Sequence, residues 1–255
     1  MDKAGADTIL EVRNLRVWFP VKRGVFARTV GHVKAVDDVS FSLRRGETLG
    51  IVGESGSGKS TTVRVVAGLQ KPTGGTVRLN GRVAMVFQDP LGSLNPRMTV
   101  RSTLEEALRC AERRNPCVSD YTPESLLATV GIPKGDADKY PHEFSGGQRQ
   151  RVCIARALAA RPDLLICDEA VSALDLSIRA TVLDLLSELR ERLSFAMMFI
   201  THDLGVVQHV AERILVMNHG RMEEEGPCGQ VLKAPKAEYT RYLMDAVPRI
   251  GKPLT

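Results

Sequence analysis

A glycine-rich stretch between an apolar segment and a helical one constrains this 255-residue chain more than any other feature. It reads Gly53-Glu54-Ser55-Gly56-Ser57-Gly58-Lys59-Ser60 and fits the pattern GxxxxGK[ST] at every position. The apolar residues Glu47–Val52 predict a strand before it, and Lys59–Leu69 has the periodicity of a helix. Glycines allow the backbone N–H groups of such a turn to face phosphate oxygens, and the helix N-terminus adds positive partial charge. We therefore predict a phosphate-binding loop in which Lys59 contacts the β- and γ-phosphates and Ser60 ligates Mg²⁺.

Two adjacent carboxylates follow a second apolar segment. Leu164–Cys167 predicts a buried strand, and Asp168 and Glu169 come directly after it. For the pair alone, a solvated acidic strand end is the alternative. In a chain with a phosphate loop, we expect Asp168 beside the Mg²⁺ shell and Glu169 near an attacking water, as a candidate general base.

The order of elements predicts an α/β fold. Apolar strands alternate with amphipathic helices, which is typical of a largely parallel sheet covered on both faces. In the N-terminal part, strands are expected at Ile9–Phe19 and Lys34–Leu43, with a basic loop at Val21–His32 between them. We expect a single domain over residues 1–255, with a helical subdomain at roughly 99–160 and a short C-terminal extension at roughly 227–255.

Composition excludes several classes of protein. The aromatic share is 5%, which argues against a base-stacking nucleic-acid platform, while the net charge of +5 permits anionic partners without requiring them. Five cysteines without CxxC spacing indicate reduced thiols in a cytoplasmic compartment. No apolar run approaches the roughly 18–20 residues that span a bilayer, and the first residues lack the apolar region of a signal peptide. We therefore expect a chain that is neither secreted nor membrane-spanning.

A third motif precedes the acidic pair. With Ser145-Gly146-Gly147-Gln148 placed between the phosphate loop and Asp168-Glu169, the chain resembles the ATPase subunit of ABC transporters, whose signature is SGGQ. The resemblance implies a P-loop NTPase core of the ABC ATPase type, with a mainly parallel sheet, an N-terminal antiparallel β-subdomain and an inserted helical subdomain. It also implies that ATP lies between the phosphate loop of one subunit and the signature of its partner.

The same resemblance assigns roles to individual residues. Glu169, His202, Lys59 and Gln88 are expected to be catalytic, and Ser60, Gln88 and Asp168 to hold Mg²⁺. Asp175 is expected in the D-loop, and the signature residues Ser145, Gly146, Gly147 and Gln148 are expected to face the partner's ATP. Phe19 or Trp18 is expected to stack on adenine, with an ordinary strand aromatic as the alternative for both. The ATP-binding residues are expected to be Gly53, Glu54, Ser55, Gly56, Ser57, Gly58, Lys59, Ser60, Thr61 and Phe19.

Three segments are similar to the oligopeptide, dipeptide and nickel importer branch, namely Gln88–Val100, Asp168–Asp175 and Thr201–Val207. The branch implies an ATP-hydrolysing subunit on the cytoplasmic face of the inner membrane. Its partners would be a second ATPase subunit, two permeases and an extracytoplasmic solute-binding protein, with no nucleic acid. The stretch between Gly75 and Gln88 is shorter than is usual in the branch. Because no cysteine-bearing extension follows Pro248, no iron–sulfur cluster is expected. The sequence leaves open whether the cargo is a peptide, nickel or a metal chelate.

Three other functions compete with this interpretation. A soluble ABC-type ATPase that acts on nucleic acid or the ribosome usually carries two ATPase domains or a long coiled-coil insertion, and this chain has neither. A P-loop kinase would give the SGGQ motif and the D-loop no role. A non-hydrolytic regulatory subunit is disfavoured because every nucleotide-site residue of the family pattern is present.

Overall fold

The computed structural model describes residues 7–23, 28–114 and 121–246. The chain falls into two compact units that are interleaved along the sequence. The first unit comprises Met1–Leu10, Ser42–Glu47 and Arg78–Ile200, and the second comprises Glu11–Phe41, Thr48–Val77 and Thr201–Thr255. A single domain over residues 1–255 stays a prediction.

Strands and helices alternate over most of the described residues. In chain order they are β1 Thr8–Arg23, β2 Arg28–Arg44, β3 Thr48–Val52, α1 Lys59–Val66, β4 Gly74–Leu79, β5 Val83–Val86, α2 Pro90–Ser93, α3 Val100–Arg114, α4 Pro123–Thr129, α5 Gly146–Leu158, β6 Leu164–Asp168, α6 Leu176–Leu193, β7 Ala196–Thr201, α7 Leu204–Val210, β8 Arg213–Asn218, β9 Arg221–Pro227, α8 Cys228–Lys233 and α9 Glu238–Ala246. Short 3-10 turns lie at Lys134–Asp138 and Pro141–Glu143.

The first unit is built on parallel strands. β5 pairs with β6, and β6 pairs with β7, so that Cys167 lies opposite Phe199 and Asp168 opposite Ile200. Every residue of β6 and β7 is buried, which is what strands covered on both faces require. The predicted buried strand at Leu164–Cys167 is therefore confirmed, and β6 ends on Asp168, the first carboxylate of the acidic pair.

Helices α3, α4 and α5 occupy the region predicted as a helical subdomain. Arg101 on α3 forms ion pairs with Glu124 on α4 and with Asp138 in the 3-10 turn, where Nε lies 2.7 Å from Oδ1. The hydrogen bond from Arg101 lowers the pKa of both carboxyls, more than their partial burial raises it. Arg101 and Glu124 are partly buried and Asp138 is exposed, so we expect these ion pairs to contribute only modestly to stability.

The second unit carries its own strands. β3 pairs in parallel with β8, and β8 forms an antiparallel hairpin with β9 through the turn at His219-Gly220. Helix α7 packs closely on β3, because a Cβ at Gly50 would lie 2.5 Å from Val207 Cγ1. β1, β2 and β4 form a separate antiparallel sheet in the order β2-β1-β4.

The predicted basic loop at Val21–His32 is wrong. β1 continues to Arg23 and β2 begins at Arg28, so the strands occupy most of that stretch. The side chains of 21–23 and 29–33 are exposed and show no alternation of buried and exposed positions. Backbone pairing between neighbouring strands, which side-chain hydrophobicity does not reveal, extends the strands here.

Helices α8 and α9 form the described part of the predicted C-terminal extension. Leu232, Tyr239, Leu243 and Met244 pack against a buried apolar cluster of the second unit. The members of this cluster are Val52, Leu204, Val207, Ile214, Val216, Cys228 and Val231. None of the helices in the described ranges is long and apolar enough to cross a membrane.

Candidate functional site

The glycine-rich stretch forms a loop between β3 and α1, as predicted. Gly56 and Gly58 have φ of 80° and 104°, a region that favours glycine. A Cβ at Gly53 would lie 2.1 Å from the carbonyl oxygen of Met217, and one at Gly58 would lie 2.4 Å from that of Ala35. At Gly56 no atom lies within 4 Å of the added Cβ. The glycines at 53 and 58 are thus needed for close packing, whereas Gly56 faces open space on the loop.

Lys59 closes this loop from inside. Its side chain is buried, and Nζ donates to the carbonyl oxygens of Gly53 and Glu54 at 2.7 Å each. Ser57 Oγ lies 3.4 Å from the same nitrogen. An anionic phosphate oxygen is a stronger partner for an ammonium than a neutral carbonyl. A phosphate oxygen at this position would therefore compete with the two carbonyl oxygens for the ammonium of Lys59.

Glu169 is held by its backbone and its side chain at the end of β6. Its φ is 48°, which is uncommon for a residue other than glycine. The backbone N–H donates to Ile200 O at 3.0 Å, and the C=O accepts from the N–H and the hydroxyl of Ser172 at 3.1 and 2.9 Å. These contacts offset the strain of the left-handed conformation and aim the side chain.

Gln88 and Glu169, both predicted to be catalytic, lie together. Gln88 Nε2 donates to Glu169 Oε2 at 2.9 Å. The amide nitrogen is thus engaged by the carboxylate, and the amide oxygen is the atom of Gln88 that can face a cation or a water.

Asp168 is buried at the carboxyl end of β6, next to a buried thiol. Burial, together with the smaller effect of the neighbouring Asp168, raises the pKa of Cys167 to about 12. Cys167 therefore stays a neutral thiol at neutral pH. Among the described cysteines, 110, 153, 167 and 228 carry free thiols, and Cys117 lies outside the described residues.

The signature motif begins helix α5. Ser145 is the N-cap: its hydroxyl accepts from the N–H of Gln148 at 3.3 Å, and Gln148 Oε1 accepts from the N–H of Ser145 at 2.9 Å. A Cβ at Gly147 would lie 2.4 Å from Ile178 Cγ2 on α6, so this glycine lets two helices approach. At Gly146 the closest atom would be Leu174 Cδ2 at 3.8 Å, an ordinary contact. Packing within this chain therefore requires Gly147 but not Gly146.

Asp175 and His202 lie in the turns that precede α6 and α7. Asp175 occupies the N-cap position of α6, yet its exposed carboxylate makes no capping hydrogen bond. In the next turn Asp203 caps α7, with Oδ1 accepting from the N–H of Gly205 at 2.9 Å. His202 is exposed just before that cap. Capping of α7 therefore accounts for the side chain of Asp203, whereas the side chain of Asp175 does not cap α6.

The two aromatics predicted as candidates for adenine stacking differ in their surroundings. Trp18 is half-buried, its Nε1 donates to Asp37 Oδ1 at 3.2 Å, and Lys34 Nζ lies 4.5 Å from the ring centroid. Arg221 also binds Asp37, and this hydrogen bond is the main cause of a lowered pKa of that carboxyl. Phe19 is 41% exposed. The structure thus gives Trp18 a packing role and leaves the ring of Phe19 accessible.

Two residues at these sites escape the motif analysis. Gln150 is fully buried and lines a cavity of about 170 Å³ together with Gln88, Leu91 and Leu174. Tyr239, in the C-terminal extension, accepts a hydrogen bond from the N–H of Glu54 in the phosphate loop. A buried polar residue on a helix and a lone tyrosine carry no sequence signal that would reveal these positions.

Comparison with known proteins gives the family. The ABC transporter family matches residues 36–172, which is more than half of the chain. The chain belongs to the ABC transporter family. The predicted fold class is confirmed as well, and as an ABC-type subunit the chain binds ATP and is an ATPase coupled to transport.

Relatives and solved structures agree with this assignment. The oligopeptide transport ATP-binding protein AppF of Bacillus subtilis (strain 168) is 46% identical over 97% of this chain and 80% of its own length. The probable D,D-dipeptide transport ATP-binding protein DdpF of Escherichia coli (strain K12) is 43% identical over 98% and 82%. The structure resembles cbiO1 of Clostridium perfringens, part of the ABC transporter complex cbiONQ, with a TM-score of 0.73, 27% identity, and 96% and 98% of the two chains covered.

A second solved structure is a dimer. The ATP-binding cassette MJ0796, in a post-hydrolysis state bound to ADP and Pi, matches with a TM-score of 0.71, 27% identity, and 86% and 98% of the two chains covered. The expected resemblance to ABC transporter ATPases is therefore confirmed. The alternative of a soluble ATPase acting on nucleic acid or the ribosome receives no support from these relatives.

Proposed function

We propose that this chain hydrolyses ATP to power the import of peptides through a membrane ABC transporter. The observation that carries the proposal is the identity of 46% and 43% to an oligopeptide and a dipeptide transport subunit over nearly the whole chain. The contact between Gln88 and Glu169 supports the hydrolytic part, because it orients a carboxylate on a rigid strand end. Peptides rank ahead of nickel or metal chelates, the other cargoes of the branch, because the relatives named above transport peptides.

Hydrolysis would use the residues that the family pattern assigns. Lys59 would leave the carbonyls of Gly53 and Glu54 and bind the β- and γ-phosphates, where its charge opposes that of the transferring phosphoryl group. Glu169 would accept a proton from the attacking water, with Gln88 keeping its carboxylate oriented. His202 would contact the γ-phosphate, and Phe19 would stack on adenine.

The donors assigned to Mg²⁺ fit that ion. They are the hydroxyl of Ser60, the carboxylate of Asp168 and the amide oxygen of Gln88, all hard oxygen ligands. Mg²⁺ usually takes only one or two protein ligands and completes its shell with phosphate oxygens and water. The described residues contain no group of three or more His, Cys, Asp and Glu side chains suited to a metal. When bound, Mg²⁺ neutralises charge on the phosphates.

The signature supports a two-subunit site. Gly146 lacks a side chain although packing within the chain leaves room for one, and the N-cap before it, Ser145, is exposed. An absent Cβ permits close approach of a nucleotide phosphate to the helix start. We propose that Ser145, Gly146, Gly147 and Gln148 face ATP held by the phosphate loop of a partner subunit, with Asp175 in the same interface.

The assembly would then contain two ATPase subunits and two permeases, with an extracytoplasmic solute-binding protein delivering the cargo. The chain would sit on the cytoplasmic face of the inner membrane. Nucleotide-driven closure of the ATPase pair would pass to the permeases near Gln88 and the segment that follows it, Leu91–Val100.

The test is peptide-stimulated hydrolysis by the transporter purified with its permeases and reconstituted in vesicles. We expect a loaded solute-binding protein to stimulate ATP hydrolysis with a peptide as cargo and not with a nickel chelate. Lys59→Ala should lower hydrolysis by about 100-fold or more, while Lys71→Ala, which removes an exposed lysine, should leave it unchanged. Hydrolysis that survives Lys59→Ala would contradict the assignment of the nucleotide site to this loop. Stimulation by the nickel chelate alone would contradict the assignment of peptides as the cargo.

A further inference from the structure

The C-terminal helix α9 contacts the phosphate loop through one side chain. The N–H of Glu54 donates to the hydroxyl oxygen of Tyr239, with N and Oη 3.2 Å apart. This N–H belongs to the peptide that joins Gly53 to Glu54. The C=O of the same peptide accepts from Lys59 Nζ at 2.7 Å. The first peptide of the loop is therefore held at both ends, by the lysine on one side and by the tyrosine on the other.

Tyr239 is positioned by contacts outside the loop. Its ring packs on the apolar cluster that includes Val52, the residue just before the loop, and stacks on Tyr242 with ring centroids 6.4 Å apart. Glu224 on β9 fixes the chain where α9 begins, because its carboxylate accepts from the N–H groups of Lys236 and Ala237 at 2.9 and 3.0 Å. The hydroxyl thus reaches the loop from a support that does not depend on the loop.

We infer that Tyr239 positions the Gly53–Glu54 peptide of the loop for nucleotide binding. This inference rests on the function proposed above. When phosphates draw the ammonium of Lys59 away, the carbonyl of Gly53 loses this donor, whereas the carbonyl of Glu54 keeps the N–H of Ser57 at 3.2 Å. The hydrogen bond to Tyr239 does not involve the lysine, so it persists in both states. A peptide already held in orientation loses less conformational freedom when the ligand binds. Removal of the hydroxyl should therefore weaken nucleotide binding without slowing the chemical step.

The experiment compares full-length wild type with Tyr239→Phe, which keeps the ring and removes the hydroxyl. Tyr242→Phe is the matched control, because Tyr242 is exposed on the same helix and stacks on the same ring. We expect Tyr239→Phe to raise the Kd and KM for Mg-ATP by about 3- to 10-fold, as the loss of one hydrogen bond implies. The kcat at saturating ATP should stay within about 2-fold, and Tyr242→Phe should match wild type.

A second readout reports the contact without nucleotide. In amide proton spectra, the Glu54 N–H resonance should move upfield in Tyr239→Phe and stay in place in Tyr242→Phe. An unchanged Glu54 resonance, an unchanged Kd, or an equal loss of affinity in both variants would overturn the inference. Failure of wild type to bind Mg-ATP in a Lys59-dependent way would instead overturn the proposed function, even if the Glu54 resonance moves as expected.

Discussion

Gln88 Nε2 donates a hydrogen bond to Glu169 Oε2 at 2.9 Å. Gln88 lies in the segment after β5, and Glu169 follows the last residue of β6. Glu169 is also fixed through its backbone, in a left-handed conformation that its contacts with Ile200 and Ser172 support. The carboxylate proposed as the general base thus has a restricted direction. Catalysis by a base requires this orientation as much as a suitable pKa.

Removal of the amide donor should slow hydrolysis through Glu169. We expect Gln88→Ala to lower kcat by about 10-fold, because the carboxylate loses the side chain that orients it. In the Glu169→Gln background the same substitution should add little, since two residues that act as one unit are not additive. ATP turnover of wild type, the two single variants and the double variant measures this coupling. Independent, multiplicative losses would show that Gln88 acts apart from Glu169.

Alanine substitutions at the two signature glycines should have different effects, one on stability and the other on hydrolysis. Gly147→Ala places a Cβ against Ile178 Cγ2, so we expect the free energy of unfolding to fall by about 1–3 kcal/mol. Ile178→Ala in that background should recover part of the loss. Gly146→Ala meets only an ordinary contact with Leu174, so its stability should stay near wild type while hydrolysis by the assembled pair falls at least about 10-fold.

Urea unfolding and ATP turnover separate the two cases. Equal destabilisation by both alanines would contradict the different packing of the two glycines. Full activity of Gly146→Ala would contradict the proposal that this glycine faces the partner's nucleotide.

Phe19 and Trp18 should contribute differently to ATP affinity. Phe19→Ala should raise the KM for ATP by about 10-fold if its accessible ring stacks on adenine. Trp18→Phe should change KM little and lower stability, because Asp37 loses its indole donor. Steady-state kinetics and urea unfolding of both variants test this. A larger rise in KM for Trp18→Phe than for Phe19→Ala would assign adenine to Trp18.

The sequence pattern located the glycine-rich loop and the buried strand before Glu169 better than it located the ends of β1 and β2. Strands β6 and β7 are buried on both faces and are recognisable from apolar residues alone. The phosphate loop follows from its glycines, because few other residues adopt its conformation. The ends of β1 and β2 depend on backbone pairing among exposed side chains, which composition does not register.

Contacts between residues far apart in the sequence could not be predicted either. Tyr239 lies 185 positions from Glu54, and their hydrogen bond depends on how α9 packs. Similarly, the burial of Gln150 is decided by the neighbours of α5 and not by its own polarity. Local pattern and residue chemistry cannot supply such contacts.

The carboxylate of Glu224, which binds the backbone just before α9, should make the free energy of unfolding depend on pH. Burial alone would raise the pKa of Glu224, but the hydrogen bonds from the N–H groups of Lys236 and Ala237 act against it and hold the pKa below its ordinary value. A lowered folded-state pKa contributes stability above the ordinary value, and this contribution is lost as pH falls through the folded-state pKa. The stability gap between wild type and Glu224→Gln should therefore be largest near neutral pH and shrink below about pH 4.5. Urea unfolding at several pH values measures the gap, and a gap that stays constant into acid would contradict the role of the carboxylate.

The most direct test of the account is the effect of Glu169→Gln on binding and turnover of Mg-ATP in the assembled transporter. The substitution keeps the shape of the side chain and removes its basicity. The account predicts that ATP hydrolysis falls by about 10²- to 10⁴-fold, that ATP affinity is unchanged, and that the ATPase pair accumulates in its ATP-bound form. Near-normal hydrolysis by Glu169→Gln would contradict Glu169 as the general base and with it the proposed site.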